Sequence, residues 1–148
     1  LGPRHAQRRV RAVREPAPVI EGQSREADIR AVIERIREET LPLEKGFFRS
    51  AESLAGNAAV LESLWRDGAW RRAGTGYDAA RIREAEALIA TARWVTQSAL
   101  LRRETRGVHR RTDFAQTEPT LTVRTLSGGL DAPWAVYEPE QQKESIAS

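Results

Sequence analysis

The run from Asp78 to Arg106 contains neither glycine nor proline, and it constrains the fold more than any other feature. Its apolar residues recur at helical spacing, which predicts one helix of about 28 residues capped by Asp78. Ala85, Ala92 and Ala99 return every seven residues and, with Leu88, Ile89 and Val95, make one apolar face. Small residues there let neighbouring helices approach closely. A second face carries Ala87, Ala90, Trp94, Ser98 and Leu101. A surface helix buries one stripe, so a helix with two needs cover on both sides. Earlier helices serve one face. The other is expected to meet a partner domain, because little else in the chain can cover it.

Two shorter helices precede this one. Ser24 reads as an N-cap, with Glu26 and Asp28 in the first turn where the helix dipole favours acids. Ile29, Val32, Ile33 and Ile36 then fall at i, i+3, i+4 and i+7, predicting an amphipathic helix of about 16 residues that ends before Pro42. Leu41–Arg49 reads as a connection with Phe47 and Phe48 turned inward. Ser50 is expected to cap a second helix whose inner stripe is Leu54, Ala58, Leu61 and Trp65, ending near Asp67-Gly68. The following loop, Ala69–Tyr77, contains Gly74 and Gly76 and is expected to expose Arg71 and Arg72.

Downstream, Leu121–Arg124 and Trp134–Tyr137 alternate around Gly128-Gly129, a β-hairpin pattern. An isolated hairpin is marginal in water, so this one must lie against the helices or a partner. Residues from Glu138 on read as a disordered tail. At the other end, Leu1–Arg14 has five arginines and a thin apolar stripe, and Pro16 and Pro18 mark a linker. The expected fold is all-α. It is a three-helix bundle with spectrin-repeat-like up-down helices over 24–114, an extended N-terminal segment over 1–23, and a hairpin with tail over 115–148.

Much chemistry is excluded by composition. The chain has 148 residues, no cysteine and two histidines, so disulfides, thiolate catalysis and histidine-rich metal sites are unavailable. No apolar run approaches membrane-spanning length and no signal peptide is visible, which predicts a soluble, cytoplasmic protein. There is no methionine, even at position 1, as expected of a processed chain or a piece of a longer one. The net charge of +3 comes almost wholly from arginine. Those arginines alternate with acids along helix surfaces, the pattern of a solvated, ion-paired face rather than of a nucleic-acid groove. Trp65 and Trp94, at helical spacing, read as packing residues rather than a base-stacking platform. His5 is expected to be exposed. Neither a Ser/His/Asp set nor a glycine-rich phosphate loop after a strand is present.

The densest chemistry is Arg102–Asp113, Arg-Arg-Glu-Thr-Arg-Gly-Val-His-Arg-Arg-Thr-Asp. One reading is an anion site, with arginine forks and His109 as acid or base. The architectural reading makes Gly107 the left-handed C-cap of the long helix. The arginines would then answer the helix dipole, and Glu104 and Asp113 would pair with them.

Ala99–Phe114, with Glu104-Thr105-Arg106-Gly107-x-His109-x-Arg111-x-Asp113-Phe114, resembles the Glu-Ser-Arg-Gly-x-His-x-Arg-x-Asp-Tyr/Phe-Pro signature. That signature belongs to the C-terminal helical domain of succinate dehydrogenase/fumarate reductase flavoproteins, a family that includes L-aspartate oxidases. The first helix, Phe47–Leu54 and the long helix follow the family's order, and Leu1–Arg4 resembles the close of its flavin domain. Thr105 stands for the family's Ser and Ala115 for its Pro. Because Gln116–Val123 lacks the Trp-x-x-His-Thr-type stretch of succinate dehydrogenases, the resemblance is strongest to L-aspartate oxidase. It implies FAD in a full-length parent that oxidises L-aspartate to iminoaspartate, the first step of NAD and quinolinate biosynthesis. No catalytic or FAD-binding residue falls in this chain. The resemblance gives it a structural role, in which Glu104, Arg106, Gly107, His109, Arg111 and Asp113, with Trp94 and Leu101, dock it on the parent's flavin-binding domain. Taken alone it would expose an apolar face and could self-associate. The alternatives are the same domain of a succinate dehydrogenase or fumarate reductase subunit, and a stand-alone arginine-rich interaction module.

Overall fold

A computed structural model of the chain describes residues 25–71 and 77–138. Readings of residues 1–24, Arg72 and the tail beyond Glu138, including the Ser24 cap and exposed His5, lie outside the described residues. Helix α1 spans Arg25–Thr40, α2 is one turn at Leu43–Gly46, α3 spans Ala51–Asp67 and α4 spans Tyr77–Leu101. Strand β1 (Phe48–Arg49) pairs in parallel with β2 (Arg110–Arg111), and β3 (Thr125–Gly128) pairs antiparallel with β4 (Trp134–Tyr137). The chain is thus mostly helical with a small antiparallel strand pair near its C-terminus, as expected from its periodicity. Among the described residues no helix is long and apolar enough to cross a membrane.

One core joins the three long helices. Ile29, Val32, Ile33 and Ile36 of α1 meet Leu61 of α3 and Ile82, Ala85, Ile89 and Ala92 of α4. Each fully buried branched side chain contributes roughly 1.5–3 kcal/mol of transfer free energy. The alanines let α4 come close. Leu88 and Val95, expected on the same face, are 38% and 50% exposed. At about 100° per residue they stand roughly 60–80° round the helix from Ala85, past the edge of the buried stripe.

Helix α3 begins with a reciprocal cap. Ser50 Oγ accepts from Ser53 N at 3.1 Å, and Ser53 Oγ accepts from Ser50 N at 3.0 Å. It ends at Gly68, whose φ of 55° is the left-handed stop expected there. Arg71 is not exposed as expected. Its guanidinium lies 4.1 Å from the Trp65 ring centre and 4.7 Å from that of Trp70, and it donates to the Trp65 carbonyl at 2.7 Å. Phe48 also departs from expectation. It is 48% exposed, because β1 alternates and turns Phe48 away from the interior.

The long helix stops at Leu101, five residues before Arg106. Its last carbonyls find side-chain partners instead of further helical amides. Arg111 Nη1 donates to Ala99 O at 2.9 Å and Arg102 O at 3.2 Å, and His109 Nε2 lies 3.1 Å from Arg102 O. The first hairpin strand also starts later than expected. Pro119–Leu121 form a 3-10 turn capped by the Glu118 carboxylate, and pairing begins at Thr125.

The second face of α4 finds its cover within the chain, which corrects the expectation of an absent partner there. The hairpin lies on it. Trp94 Nε1 donates to Gly129 O at 2.7 Å and Tyr137 Oη donates to Leu101 O at 2.9 Å. Arg93, 3% exposed, pairs with Glu62 at 2.6 Å and donates to the Leu130 and Asp131 carbonyls. Ala90 is buried, Trp94, Ser98 and Leu101 are half-buried, and Ala87 remains exposed.

A salt-bridged turn at the end of the long helix

After Leu101 the chain folds back on itself around Glu104, which is 0% exposed. A buried carboxylate needs several partners to offset desolvation. One Glu104 oxygen accepts from Arg102 and from Arg106 Nε at 3.0 Å, and the other from the Glu118 amide at 2.9 Å. The Arg106 hydrogen bond, helped by the Glu118 amide and Arg102, outweighs burial and holds the carboxyl at about 2. Arg102 extends the network, donating to Leu121 O at 2.9 Å and Val123 O at 2.6 Å.

Gly107 carries φ 58° at the first central position of a two-residue turn between Arg106 and His109. Arg106 N donates to His109 O at 2.8 Å and His109 N to Arg106 O at 3.1 Å. Gly107 is therefore left-handed, as the architectural reading requires, but in a hairpin turn rather than a helix cap. The turn reverses the chain and delivers His109 and Arg111 beneath the end of α4.

Arg111 is 2% exposed and grips Asp113 bidentately at 2.8 and 2.7 Å. Asp113 also accepts from the Ala51 amide at 2.8 Å, which places a carboxylate at the start of α3. Arg111 chiefly, then the Ala51 amide, holds Asp113 at about 2. The Thr105 hydroxyl accepts from Arg111 N at 3.0 Å and donates to Phe114 O at 2.9 Å. Threonine thus supplies the hydroxyl for which serine is usual. Ala115 lacks proline's rigidity, yet Thr105 N donates to Gln116 O at 2.9 Å and Thr117 Oγ1 to Thr105 O at 2.8 Å. Hydrogen bonds hold the segment in place of a ring.

His109 has both ring nitrogens engaged. A guanidinium only donates, so the 3.1 Å contact from Arg49 Nη1 makes Nδ1 the acceptor and leaves the proton on Nε2, facing Arg102 O. Burial first, then Arg49, Arg111 and Arg102, push its pKa below the ordinary histidine value. Neutral and doubly bonded, it links β1 to the end of α4. It has no free nitrogen for acid–base work on a ligand.

The structure brings Glu104, Arg106, Gly107, His109, Arg111 and Asp113 into one cluster. Trp94 and Leu101 lie outside that cluster and contact the hairpin. Sequence reasoning missed Arg49, 60 positions from His109, and Glu118. No local pattern marks either residue, although Arg102 lies inside the signature. Glu104 and Arg111 are buried and tie this turn to the Glu118 amide and to the end of α4. The turn's exposed parts include Gly107, Val108 at 82%, Arg103, Arg110, Thr112 and Asp113. Trp65 and Trp70 are occupied by Arg71 and Arg93, which removes them as a stacking platform. Among the described residues no metal-binding cluster of His, Cys, Asp and Glu occurs. The parallel pairing of β1 with β2 is two residues long, with no glycine-rich strand-to-helix turn, so these residues do not fit a flavin dinucleotide.

The family model for the fumarate reductase flavoprotein C-terminal region matches residues 38–134. That span contains α3, α4, the entire salt-bridged turn and β3. No curated protein matches the chain. With about two thirds of its length matched, the chain belongs to the fumarate reductase flavoprotein C-terminal domain family.

Proposed function

We propose that this chain is the C-terminal three-helix domain of an FAD-dependent L-aspartate oxidase, structural in itself and packed on the flavin-binding domain of its parent. The observation that carries this reading is the turn from Glu104 to Asp113. Six signature residues there are spent on holding Gly107-Val108, Arg103 and Arg110 at a fixed place on the surface, and none on a reaction. Such a rigid, exposed, basic turn suits the docking of a domain. Residues 1–23 would be the end of the flavin domain and its linker, and the whole protein would work in the cytoplasm. The preference for aspartate over succinate comes from Gln116–Val123. These residues form the Glu118-capped turn and carry no Trp-x-x-His-Thr-type stretch. The family description equally suits a succinate dehydrogenase or fumarate reductase subunit, which is the second reading.

The test is the open reading frame upstream of Leu1, followed by assay of the purified parent. A dinucleotide-binding fold upstream, bound FAD, and oxidation of L-aspartate but not succinate are the expected results. Oxidation of succinate alone would move the chain to the second reading. A frame without a flavin domain would remove both, leaving a stand-alone arginine-rich interaction module.

A further inference from the structure

The hairpin has a free edge whose geometry is fixed by one hydrogen bond. Glu138 N donates to Arg124 O at 2.8 Å, so Arg124 and Glu138 form a bonded pair. With Leu126 opposite Val136 and Gly128 opposite Trp134, alternation makes those pairs bonded too. Thr125 and Ser127 therefore turn their N–H and C=O groups away from β4. The two ends of this edge are closed, Arg102 Nη2 just past α4 taking Val123 O at 2.6 Å and Trp94 Nε1 of α4 taking Gly129 O at 2.7 Å. Between those ends, no described residue bonds the backbone of Thr125 or Ser127.

That open stretch faces a groove of about 520 Å³ lined by Arg49, Val95, Ser98, His109, Thr125 and Ser127 among others. No carboxylate lines it. Arg49 gives Nη1 to His109, and no described carboxylate lies within ion-pair reach of it. Burial and the neighbouring Arg111 lower the pKa of its guanidinium, as expected where positive charge lacks an answering negative one. Val95, half exposed, supplies an apolar floor.

We infer that this groove takes an extended, carboxylate-bearing segment of the parent's flavin-binding domain, which adds a strand to the free edge of β3 and pairs its carboxylate with Arg49. The inference rests on the domain assignment proposed above. A small anion fits less well, because the edge presents carbonyl oxygens beside its amides and these would repel it. An extended peptide satisfies both. A carboxylate on a held guanidinium then fixes the register.

Amide exchange in the full-length parent, compared with residues 1–148 alone, tests this. The expected result is exchange at Thr125 and Ser127 slowed by about tenfold or more in the parent. Arg49→Ala in the parent should return Thr125 toward the rate of the isolated chain. Ser127→Pro offers a second route should Arg49→Ala fold poorly. It deletes an outward N–H that the ladder does not use, and proline is tolerated at such edge positions. It too should release Thr125. Protection elsewhere, for example at Val108, without protection of β3 would overturn the groove assignment and leave domain docking intact. Protection of Thr125 that survives both substitutions would overturn it as well. A parent with no protection anywhere, or no flavin domain, would remove the docking reading together with this one.

Discussion

Glu104 is the residue on which the turn depends. Replacing it by glutamine keeps the shape but leaves Arg102 and the partly exposed Arg106 facing a neutral group. Losing charged hydrogen bonds of this kind costs about 2 kcal/mol. Glu104→Gln is therefore expected to lower the urea midpoint with an unchanged slope. The same carboxylates set an acid limit. Glu104 and Asp113 are held at about 2, below ordinary values of 4.5 and 3.8. Unfolding raises their affinity for protons, so their stabilisation is complete above about 4.5 and is lost as pH falls towards 2. Urea midpoints measured from pH 6 to 2 should drop over that window, and Glu104→Gln should flatten the drop. For His109 the sign is the same. Its lowered pKa makes the folded state bind the proton later, so its contribution is lost as pH falls below about 6.5. An NMR titration should find its ring protonating below that value, whereas an ordinary midpoint would contradict the Arg49–His109 contact. The charge pairing within Arg102–Asp113 was legible from residue types alone. The Arg49 partner was not, because it stands 60 positions from His109 and only the β1–β2 pairing brings them together.

At the scale of elements, the turn at Gly107 asks for a left-handed residue and little else. A Cβ there would meet nothing within 4 Å, so Gly107→Ala carries only the conformational penalty, about 1 kcal/mol. A loss of several kcal/mol in thermal unfolding would show that the turn is packed more tightly than this. The end of α1 before Pro42 and both ends of α3 were legible because prolines, the Ser50 cap and Gly68 act locally. The end of α4 was not, since residues 102–106 are good helix formers and continue the periodicity. What ends the helix is competition for its last carbonyls, won by Arg111 and His109 from beyond the turn. Likewise Leu121–Arg124 alternate like a strand. Arg102 takes the Leu121 and Val123 carbonyls, and the strand itself begins only at Thr125.

For the whole molecule, the hairpin is the cover of α4, and Arg93 is its main tether. Arg93→Ala would remove a nearly buried charge with three anchor points and leave Glu62 to the exposed Arg66 alone, at a cost of about 2 kcal/mol. Faster amide exchange at Leu126 and Val136 than in α3 would show that the hairpin detaches first. A chain ending at Arg124 goes further, baring Trp94, Ala90 and Leu101. It is expected to self-associate in light scattering and to red-shift tryptophan emission, while the full chain does neither through this face. A monomeric truncated chain would mean that the face is less apolar than its residues suggest.

From sequence alone came what depends on near neighbours: three helices, the Ser50 cap and Gly68 stop of α3, a hairpin and a signature dense in ion pairs. Helical period, cap chemistry and turn residues act over four or five positions, so one chain suffices to read them. The tertiary structure decided which of the two apolar faces of α4 is covered by what, where α4 stops, and which signature residues are buried. Those outcomes turn on side chains and carbonyls that meet across 12 to 60 positions, and on a hairpin whose apolar alternation fits a helix of this chain as well as it would fit a partner.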